Sequence, residues 1–216
     1  MPVTDWFIIK SLTVPSSWIA VLFALIVTGV ILWKRFGKET EDWYSDAAIL
    51  FLLVWKLSII VTDFNMVWNS PISILYFNGG ETGLYLGLVA AIARVFYVLF
   101  QKGFAERELA AMLLGMIMVQ SLYQFAMVAL NDGSLWQKAV TVILFAALLY
   151  VTWIKAFWSH TWRVQLTMLF LLVHFVVAYA QPDGILQTPL YITAILALSS
   201  IAVLTLRENV RKQVEE

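Results

Sequence analysis

Seven stretches of this chain are long, apolar and nearly free of charge, at residues 18–33, 45–63, 81–100, 109–130, 136–154, 162–180 and 188–206. The hydrocarbon core of a bilayer is about 30 Å thick, and roughly 20 residues of α-helix can cross it. Backbone polar groups that stay unpaired in lipid cost too much free energy, so each crossing segment must be helical. We therefore predict an all-α membrane protein with seven transmembrane helices.

The composition indicates a single membrane domain. Hydrophobic residues make up 62% of the 216-residue chain and charged residues only 13%, whereas about a quarter of the residues in soluble domains are charged. The apolar stretches use nearly the whole length, which excludes a separate soluble domain. We expect a transmembrane domain at 18–206, flanked by segments 1–17 and 207–216. Cysteine is absent, which excludes disulfides, thiol catalysis and cysteine-bound metals.

The basic residues predict how the helices are oriented, because Lys and Arg collect in the cytoplasmic loops of membrane proteins. On the side that we predict to be outside, the loops and their flanks contain only Lys10 and Lys138. We therefore predict a multi-pass protein with its N-terminus outside and its C-terminus in the cytoplasm. Ten of the 14 basic residues flank the loops that follow the first, third, fifth and seventh stretches: Lys34, Arg35, Lys38, Lys102, Arg107, Lys155, Arg163, Arg207, Arg211 and Lys212.

The first 17 residues are too short and too polar to cross a bilayer. Asp5 precedes the first Lys, and no small-residue cleavage site follows a basic region, so we do not expect a cleaved signal peptide. Residues 6–9 are apolar. We expect this segment to lie along the outer membrane surface, and a disordered terminus is the alternative.

One ammonium group falls inside the second apolar stretch. Lys56 lies about eleven residues into it, near the membrane midplane, where a charge costs about 2.5–3.5 kcal/mol and needs a partner. Asp63 follows on nearly the same helix face, about 10 Å further along the axis. Two interpretations stay open: a structural ion pair between Lys56 and Asp63, or a Lys56 that binds a lipid phosphate.

Several other polar residues in the apolar stretches need an explanation. Gln120 and Gln124 are one helical turn apart, so one face of the fourth helix is expected to look into the bundle. They could line a site or form interhelical hydrogen bonds. His174 could be a general base, because imidazole titrates near neutral pH, or a hydrogen-bonded packing residue. Arg94 could belong to a lipid site or extend to the cytoplasmic headgroups.

The sequence indicates neither a metal site nor nucleic-acid binding. His160 falls in a predicted inner loop and His174 in the outer half of the sixth helix, so the two histidines cannot share an ion. There is no nucleophile elbow, phosphate-binding glycine loop or dinucleotide fingerprint. Basic residues only follow the predicted inner surface. We expect no cofactor and no nucleic-acid partner.

Residues 55–87, WKLSIIVTDFNMVWNSPISILYFNGGETGLYLG, form the most distinctive region of the chain. The region passes from the helix that holds Lys56, through a loop with Pro71, to Asn78 and the pair Gly79-Gly80 at the start of the third helix. Pro71 and the two glycines allow the chain to dip and turn at the outer interface. The glycines also let the backbone approach a lipid headgroup.

This order of features resembles the prolipoprotein diacylglyceryl transferases of bacterial inner membranes. Those enzymes have seven spans with the N-terminus outside and a basic residue in the second span, which Lys56 would match. They also have an acidic or amide residue before Gly-Gly, which Asn78, Gly79 and Gly80 would match. The chain departs from the family at two signatures. Positions 84–87 read LYLG in place of His-Gly-Gly-Leu, and the fourth-span signature of Arg, Asn and Glu is missing.

The resemblance implies a protein of the bacterial cytoplasmic membrane that takes phosphatidylglycerol at the outer leaflet. It would transfer the diacylglyceryl group to the lipobox cysteine of a lipoprotein precursor, with Glu81 or His174 as the catalytic base. The alternatives are a non-catalytic protein that binds a lipid or another membrane protein on the same scaffold, and a small transporter. The expected lipid-binding residues are Lys56, Asp63, Asn78, Gly79, Gly80, Arg94, Gln120 and Gln124.

Overall fold

The computed structural model describes residues 2–9, 12–103 and 105–215. Within these ranges, seven helices are long and apolar enough to cross a membrane, which confirms the predicted number and makes the chain a multi-pass helical membrane protein. They are α1 (Ser16–Phe36), α2 (Lys38–Leu57) with its extension α3 (Ile59–Thr62), α6 (Gly80–Gln101), α7 (Glu106–Leu130), α8 (Leu135–Lys155), α9 (His160–Ala180) and α10 (Thr188–Glu215). Two short helices, α4 (Phe64–Asn69) and α5 (Ser73–Tyr76), join α3 to α6.

Most helices extend a little beyond the predicted spans. The largest difference at the start of a helix is at α2, which begins at Lys38 rather than at residue 45. Glu39 and Glu41 lie in its first turn, where carboxylates stabilise the positive end of the helix dipole. At the other end of the chain, α10 continues as helix to Glu215, beyond the predicted end of the seventh span.

The helices run alternately up and down, so the bundle has two ends. The amino-terminal end carries the N-terminal segment and the α7–α8 and α9–α10 connections. There Gln137 Nε2 donates to the carbonyl oxygen of Ala180 at 2.9 Å, and Thr188 Oγ1 donates to Glu81 Oε1 at 2.9 Å. Lys10, which the sequence places at this end, lies outside the described residues. The opposite end, which we call the basic end, carries the α1–α2, α6–α7 and α8–α9 connections.

The N-terminal segment forms a β-hairpin, an addition to the predicted all-helical architecture. Strand β1 (Trp6–Ile9) pairs antiparallel with β2 (Leu12–Pro15). Asn131, at the end of α7, fixes this segment to the bundle. Its Oδ1 accepts hydrogen bonds from the backbone N–H of Thr4 at 2.8 Å and from Ser16 Oγ at 2.7 Å. The segment is therefore attached to the amino-terminal end by a buried side chain.

Glycines bring α6 close to α2. Gly79, Gly83 and Gly87 recur every four residues from the start of α6 and face α2. A Cβ at Gly83 would lie 2.0 Å from Ser58 Oγ, and one at Gly87 would lie 2.7 Å from the carbonyl oxygen of Phe51. Small residues at this spacing allow two helix backbones to approach each other inside a membrane. These glycines are therefore needed for packing.

Helix α7 is the centre of the bundle, since 50% of its span is buried, against 17% for the second span. One side packs against α1 around Leu32 and Leu114, and another packs against α8 and α9 around Phe145 and Phe170. Helix α10 packs chiefly against α9 and touches α6 and α7 only sparsely. A gap is therefore left beside α7, between α10 and α6.

Carboxylates in the first turn of α7 tie the helices together at the basic end. Glu106 forms ion pairs with Arg163 of α9 and Arg207 of α10. Glu108 is 4% exposed, and its Oε2 accepts a hydrogen bond from Trp43 Nε1 at 2.7 Å. The basic end is thus held together by charged groups, whereas the centre is held by apolar packing.

Candidate functional site

A cavity occupies the gap beside α7 and is bounded by α1, α2, α6, α7 and α10. Its volume is about 610 Å³, within the range of roughly 300–1,000 Å³ that is usual for ligand pockets. It extends from Pro2 and Asp183 at the amino-terminal end to Trp43 and Ser200 toward the basic end. Along α10 it runs from Thr188 to Ser200, about 18 Å at 1.5 Å per residue. It therefore reaches more than halfway through a bilayer core of about 30 Å.

The wall of the cavity is apolar and rich in aromatic rings. Trp18 and Trp55 meet edge to face, with ring centroids 5.5 Å apart, and Phe51 lies against Trp55 at 5.9 Å. Among the described lining residues, Asp183 is the only charged one. Such a wall suits an apolar molecule. The aromatic lining residues are Trp18, Trp43, Tyr44, Phe51, Trp55, Phe96 and Tyr123.

Two polar side chains on one face of α7 lie in this apolar wall. Gln120 is 5% exposed, and its Nε2 lies 3.5 Å from the carbonyl oxygen of Pro189, at the long limit of a hydrogen bond. Within the described ranges, Gln120 Oε1 and the hydroxyl group of Tyr123 have no hydrogen-bond partner. The cavity wall therefore offers hydrogen-bonding groups that the protein itself leaves unused.

His174 lies outside the cavity, in a buried chain of hydrogen bonds. Its Nε2 is 3.1 Å from Gln124 Nε2, and its Nδ1 is 2.6 Å from Thr193 Oγ1. Thr193 Oγ1 in turn donates to the carbonyl oxygen of Pro189 at 3.1 Å. Because a carbonyl can only accept, Thr193 must accept from Nδ1–H, and Nε2 must accept from the Gln124 amide. Both ring nitrogens thus have hydrogen-bond partners. This agrees with the interpretation of His174 and Gln124 as residues that form hydrogen bonds between packed helices.

Glu81 lies at the amino-terminal end, beside the cavity. Its Oε1 accepts hydrogen bonds from Thr188 Oγ1 at 2.9 Å and from the Tyr85 hydroxyl at 3.4 Å, and Thr188 lines the cavity. Glu81 is exposed, whereas His174 is fully buried among α7, α9 and α10. The structure does not bring the two predicted catalytic residues into contact.

Lys56 lies nearer the amino-terminal end than the predicted midplane. The ring of its neighbour Trp55 packs against Trp18 in the first turn of α1, and Trp55 Nε1 donates to the carbonyl oxygen of Gly80 at 3.1 Å. Since α2 begins at Lys38, Lys56 falls in its last turn. The sequence pattern placed Lys56 near the middle of the second span because Glu39 and Glu41 look like loop residues, whereas they form the first turn of α2.

The partner of Lys56 also differs from the prediction. Its Nζ donates to the carbonyl oxygen of Leu75, in α5, at 3.0 Å. Asp63 is exposed in the turn before α4 and accepts a hydrogen bond from Thr62 Oγ1 at 3.1 Å. The proposed ion pair between Lys56 and Asp63 is therefore wrong. Lys56 does not line the cavity either. Its ammonium group instead binds a backbone carbonyl.

Asn78, Gly79 and Gly80 form the turn that leads into α6. Asn78 Oδ1 accepts from the backbone N–H of Gly80 at 2.8 Å, and Gly80 has a φ of 60°, in the left-handed region that favours glycine. A Cβ at Gly79 would lie 1.9 Å from Ser58 Oγ. Gly79 thus approaches a neighbouring helix, not a lipid headgroup as expected.

Arg94 has a partner of its own, away from the cavity. Its Nη2 pairs with Asp46 Oδ2 at 2.7 Å, which joins α6 to α2. Of the predicted site residues, Gln120 alone lines the cavity, and Glu81 reaches it through Thr188. In the part of the chain that the structure describes, no group of three or more His, Cys, Asp and Glu could hold a metal.

The comparisons with known proteins leave the resemblance untested. No family model, no curated protein and no solved structure matches this chain. Diacylglyceryl transfer therefore stays a prediction from residues 55–87, and the cavity is the structural feature that indicates a function.

Sequence reasoning missed most of the cavity. Tyr123 follows Gln120 by three residues on the same helical face, so it could have been found from spacing. Trp18, Trp55 and Asp183 carry no comparable local signal. They line one cavity because the folded bundle brings together α1, α2 and the α9–α10 connection.

Proposed function

We propose that this protein binds a membrane lipid in the cavity between α1, α2, α6, α7 and α10. The observation that carries the proposal is the cavity itself: about 610 Å³, lined by apolar and aromatic side chains, and about 18 Å deep along α10. An acyl or isoprenoid chain has the shape and polarity for such a space. Apolar lining with a few polar groups is usual in ligand pockets.

The gap between α6 and α10 offers a path for a lipid from the bilayer. These helices contact each other sparsely, and the hydrogen bond from Thr188 to Glu81 joins them at the amino-terminal end. A molecule that diffuses in the membrane could enter between α6 and α10, on the side of this hydrogen bond that faces the basic end. Its apolar part would then lie beside Ile192 and Leu196 of α10, which line the cavity.

The test compares two alanines of α6. Ala91 lines the cavity, whereas Ala93 is exposed and does not. We expect Ala91→Phe to fill the cavity and reduce the lipid that stays bound to the purified protein, as counted by native mass spectrometry. Ala93→Phe adds the same ring outside the cavity and should retain the wild-type lipid. Equal lipid retention by both variants would reject the cavity as the binding site.

We also propose that the basic end faces the cytoplasm of a bacterial cell and the amino-terminal end the outside, as the distribution of Lys and Arg indicates. The chain has no cysteine, so single cysteines can report each end. Asp132→Cys should react with a membrane-impermeant maleimide in intact cells. Thr161→Cys should react only after the membrane is permeabilised, and the reverse pattern would reverse the orientation.

Diacylglyceryl transfer from phosphatidylglycerol to a lipoprotein precursor is the second candidate. The contact of Glu81 with Thr188 favours it, because a carboxylate beside a lipid cavity could act as a general base. Glu81 is the base that we propose for this version, because both ring nitrogens of His174 already have hydrogen-bond partners. Expression in a strain depleted of its own transferase tests the candidate. Lipoproteins that stay unmodified would remove it without affecting the lipid-binding proposal.

A further inference from the structure

The polar groups in the cavity wall indicate what kind of lipid would bind. We infer that the ligand is an uncharged amphiphile whose carbonyl group lies against Gln120 and Tyr123. This inference rests on the proposed function, because it assumes that the cavity is a lipid site. It concerns the chemistry of the ligand and not the existence of the site.

The depth of Gln120 favours a neutral group. It lies ten residues before the end of α7 at Leu130, about 15 Å along the helix axis and close to the middle of the bundle. A phosphate at that depth would carry its charge into the hydrocarbon region, which is costly without a cation. A carbonyl group can lie there if it receives a hydrogen bond.

The unused hydrogen-bond donors indicate a carbonyl. The carbonyl oxygen of Pro189 already accepts from Thr193 Oγ1 at 3.1 Å, and Gln120 Nε2 approaches it only to 3.5 Å. The Gln120 amide therefore keeps donor capacity for a ligand. The Tyr123 hydroxyl has no partner among the described residues and is three positions away on the same face. Together they offer two donors to an acceptor in the cavity.

The charges around the cavity disfavour an anionic lipid. Asp183 is the only charged residue among the described lining residues, and Glu81 lies next to Thr188 at the same end. Lys56, the nearest predicted phosphate ligand, donates to Leu75 and does not face the cavity. A phosphatidylglycerol headgroup would thus meet carboxylates and no described cation in the lining.

Two membrane molecules share the required chemistry: an isoprenoid quinone, whose ring bears carbonyls, and a diacylglycerol, whose esters do. The edge-to-face rings of Trp18 and Trp55 and the other aromatic side chains of the wall offer a surface for a planar ring. The experiment keeps both sources as separate arms.

The test measures binding of three probes to the full chain in nanodiscs: a short-chain menaquinone, dioleoylglycerol and phosphatidylglycerol. We expect one of the neutral probes to bind at least ten-fold more tightly than phosphatidylglycerol. Tyr123→Phe removes one donor, and Gln120→Leu removes the amide at similar size. Each should weaken the neutral probe about three- to ten-fold, the loss expected for one neutral hydrogen bond. Tyr150→Phe, on the exposed side of α8, is the control and should bind like the wild type.

The outcomes separate this inference from the proposed function. If Ala91→Phe abolishes binding while Gln120→Leu and Tyr123→Phe leave it unchanged, the cavity is a lipid site but the inferred carbonyl contact is wrong. Tighter binding of phosphatidylglycerol than of both neutral probes would also overturn the inference. If Ala91→Phe has no effect on any probe, both proposals fail. Tyr123→Phe keeps the test valid if Gln120→Leu does not fold.

Discussion

The ammonium group of Lys56 donates a hydrogen bond to the carbonyl oxygen of Leu75 at 3.0 Å. Leu75 belongs to α5, a helix of four residues, and carbonyl groups in the last turn of a helix have no partner within that helix. An unpaired carbonyl is costly where water is scarce. The structure therefore gives the ammonium group of Lys56 a partner in the short connecting helix, which this hydrogen bond supports.

Replacing Lys56 tests this explanation. Lys56→Met removes the donor to Leu75, and we expect a loss of about 1 kcal/mol in the free energy of unfolding, because the bond is partly exposed. Lys56→Arg keeps a donor and should lose less. Both can be measured by denaturation in mixed micelles. Lipid retention should stay at the wild-type level in Lys56→Met, and a loss of bound lipid would restore the headgroup role.

Replacing Gly87, with Gly115 as the control, tests how closely α2 packs against α6. Gly87→Ala would place a Cβ 2.7 Å from the backbone carbonyl of Phe51, so the helices must move apart, at a cost of about 1–3 kcal/mol. At Gly115→Ala the nearest atom, Leu32 Cδ1, lies further away, at 3.2 Å, and is the end of a side chain and not backbone. We expect this control to be nearly neutral in thermal stability. Equal losses at the two positions would contradict the close approach.

The hydrogen-bonded chain around His174 predicts a structural effect only. Thr193→Val keeps the size of the side chain but leaves His174 Nδ1 without its partner, which should cost about 1–3 kcal/mol. Thr205→Val, at an exposed position of the same helix, should change stability little. Neither threonine lines the cavity, so lipid binding by the folded protein should be unchanged in both. A selective loss of binding in Thr193→Val would point to a functional histidine.

Replacing Glu106 tests how ion pairs hold the helices together at the basic end. Glu106→Gln removes the negative charge that pairs with Arg163, which is 1% exposed, and weakens the link from α7 to α9 and α10. The side chain of Glu106 is 57% exposed. The loss in the free energy of unfolding should therefore lie between about 0.5 kcal/mol, typical of a surface ion pair, and about 3 kcal/mol, typical of a buried one. Glu39→Gln, at an 83% exposed carboxylate, should cost less than Glu106→Gln in the same unfolding assay.

The helices could be predicted from the sequence because bilayer thickness imposes a length on every crossing segment. The attachment of the hairpin could not, since it depends on Asn131, which is more than 110 residues away in the chain. The position of Lys56 along its helix differs from the prediction for a related reason. Glu39 and Glu41 look like loop residues in the sequence, although they form the first turn of α2.

The candidate site was less predictable than the fold. Gln120 could be selected because an amide in an apolar helix must face the interior, and it does line the cavity. Gln124, one turn later, looks equivalent in the sequence but pairs with His174 instead. The difference depends on where α9 and α10 pack, which the periodicity of α7 does not encode.

The most direct test of the lipid-binding account is a crystal structure grown in a lipid mesophase. We predict elongated density inside the cavity, beginning near Thr188 and passing Gln120 toward Ser200. A cavity filled by ordered water, or closed by movement of α10 onto α6 and α7, would contradict the account.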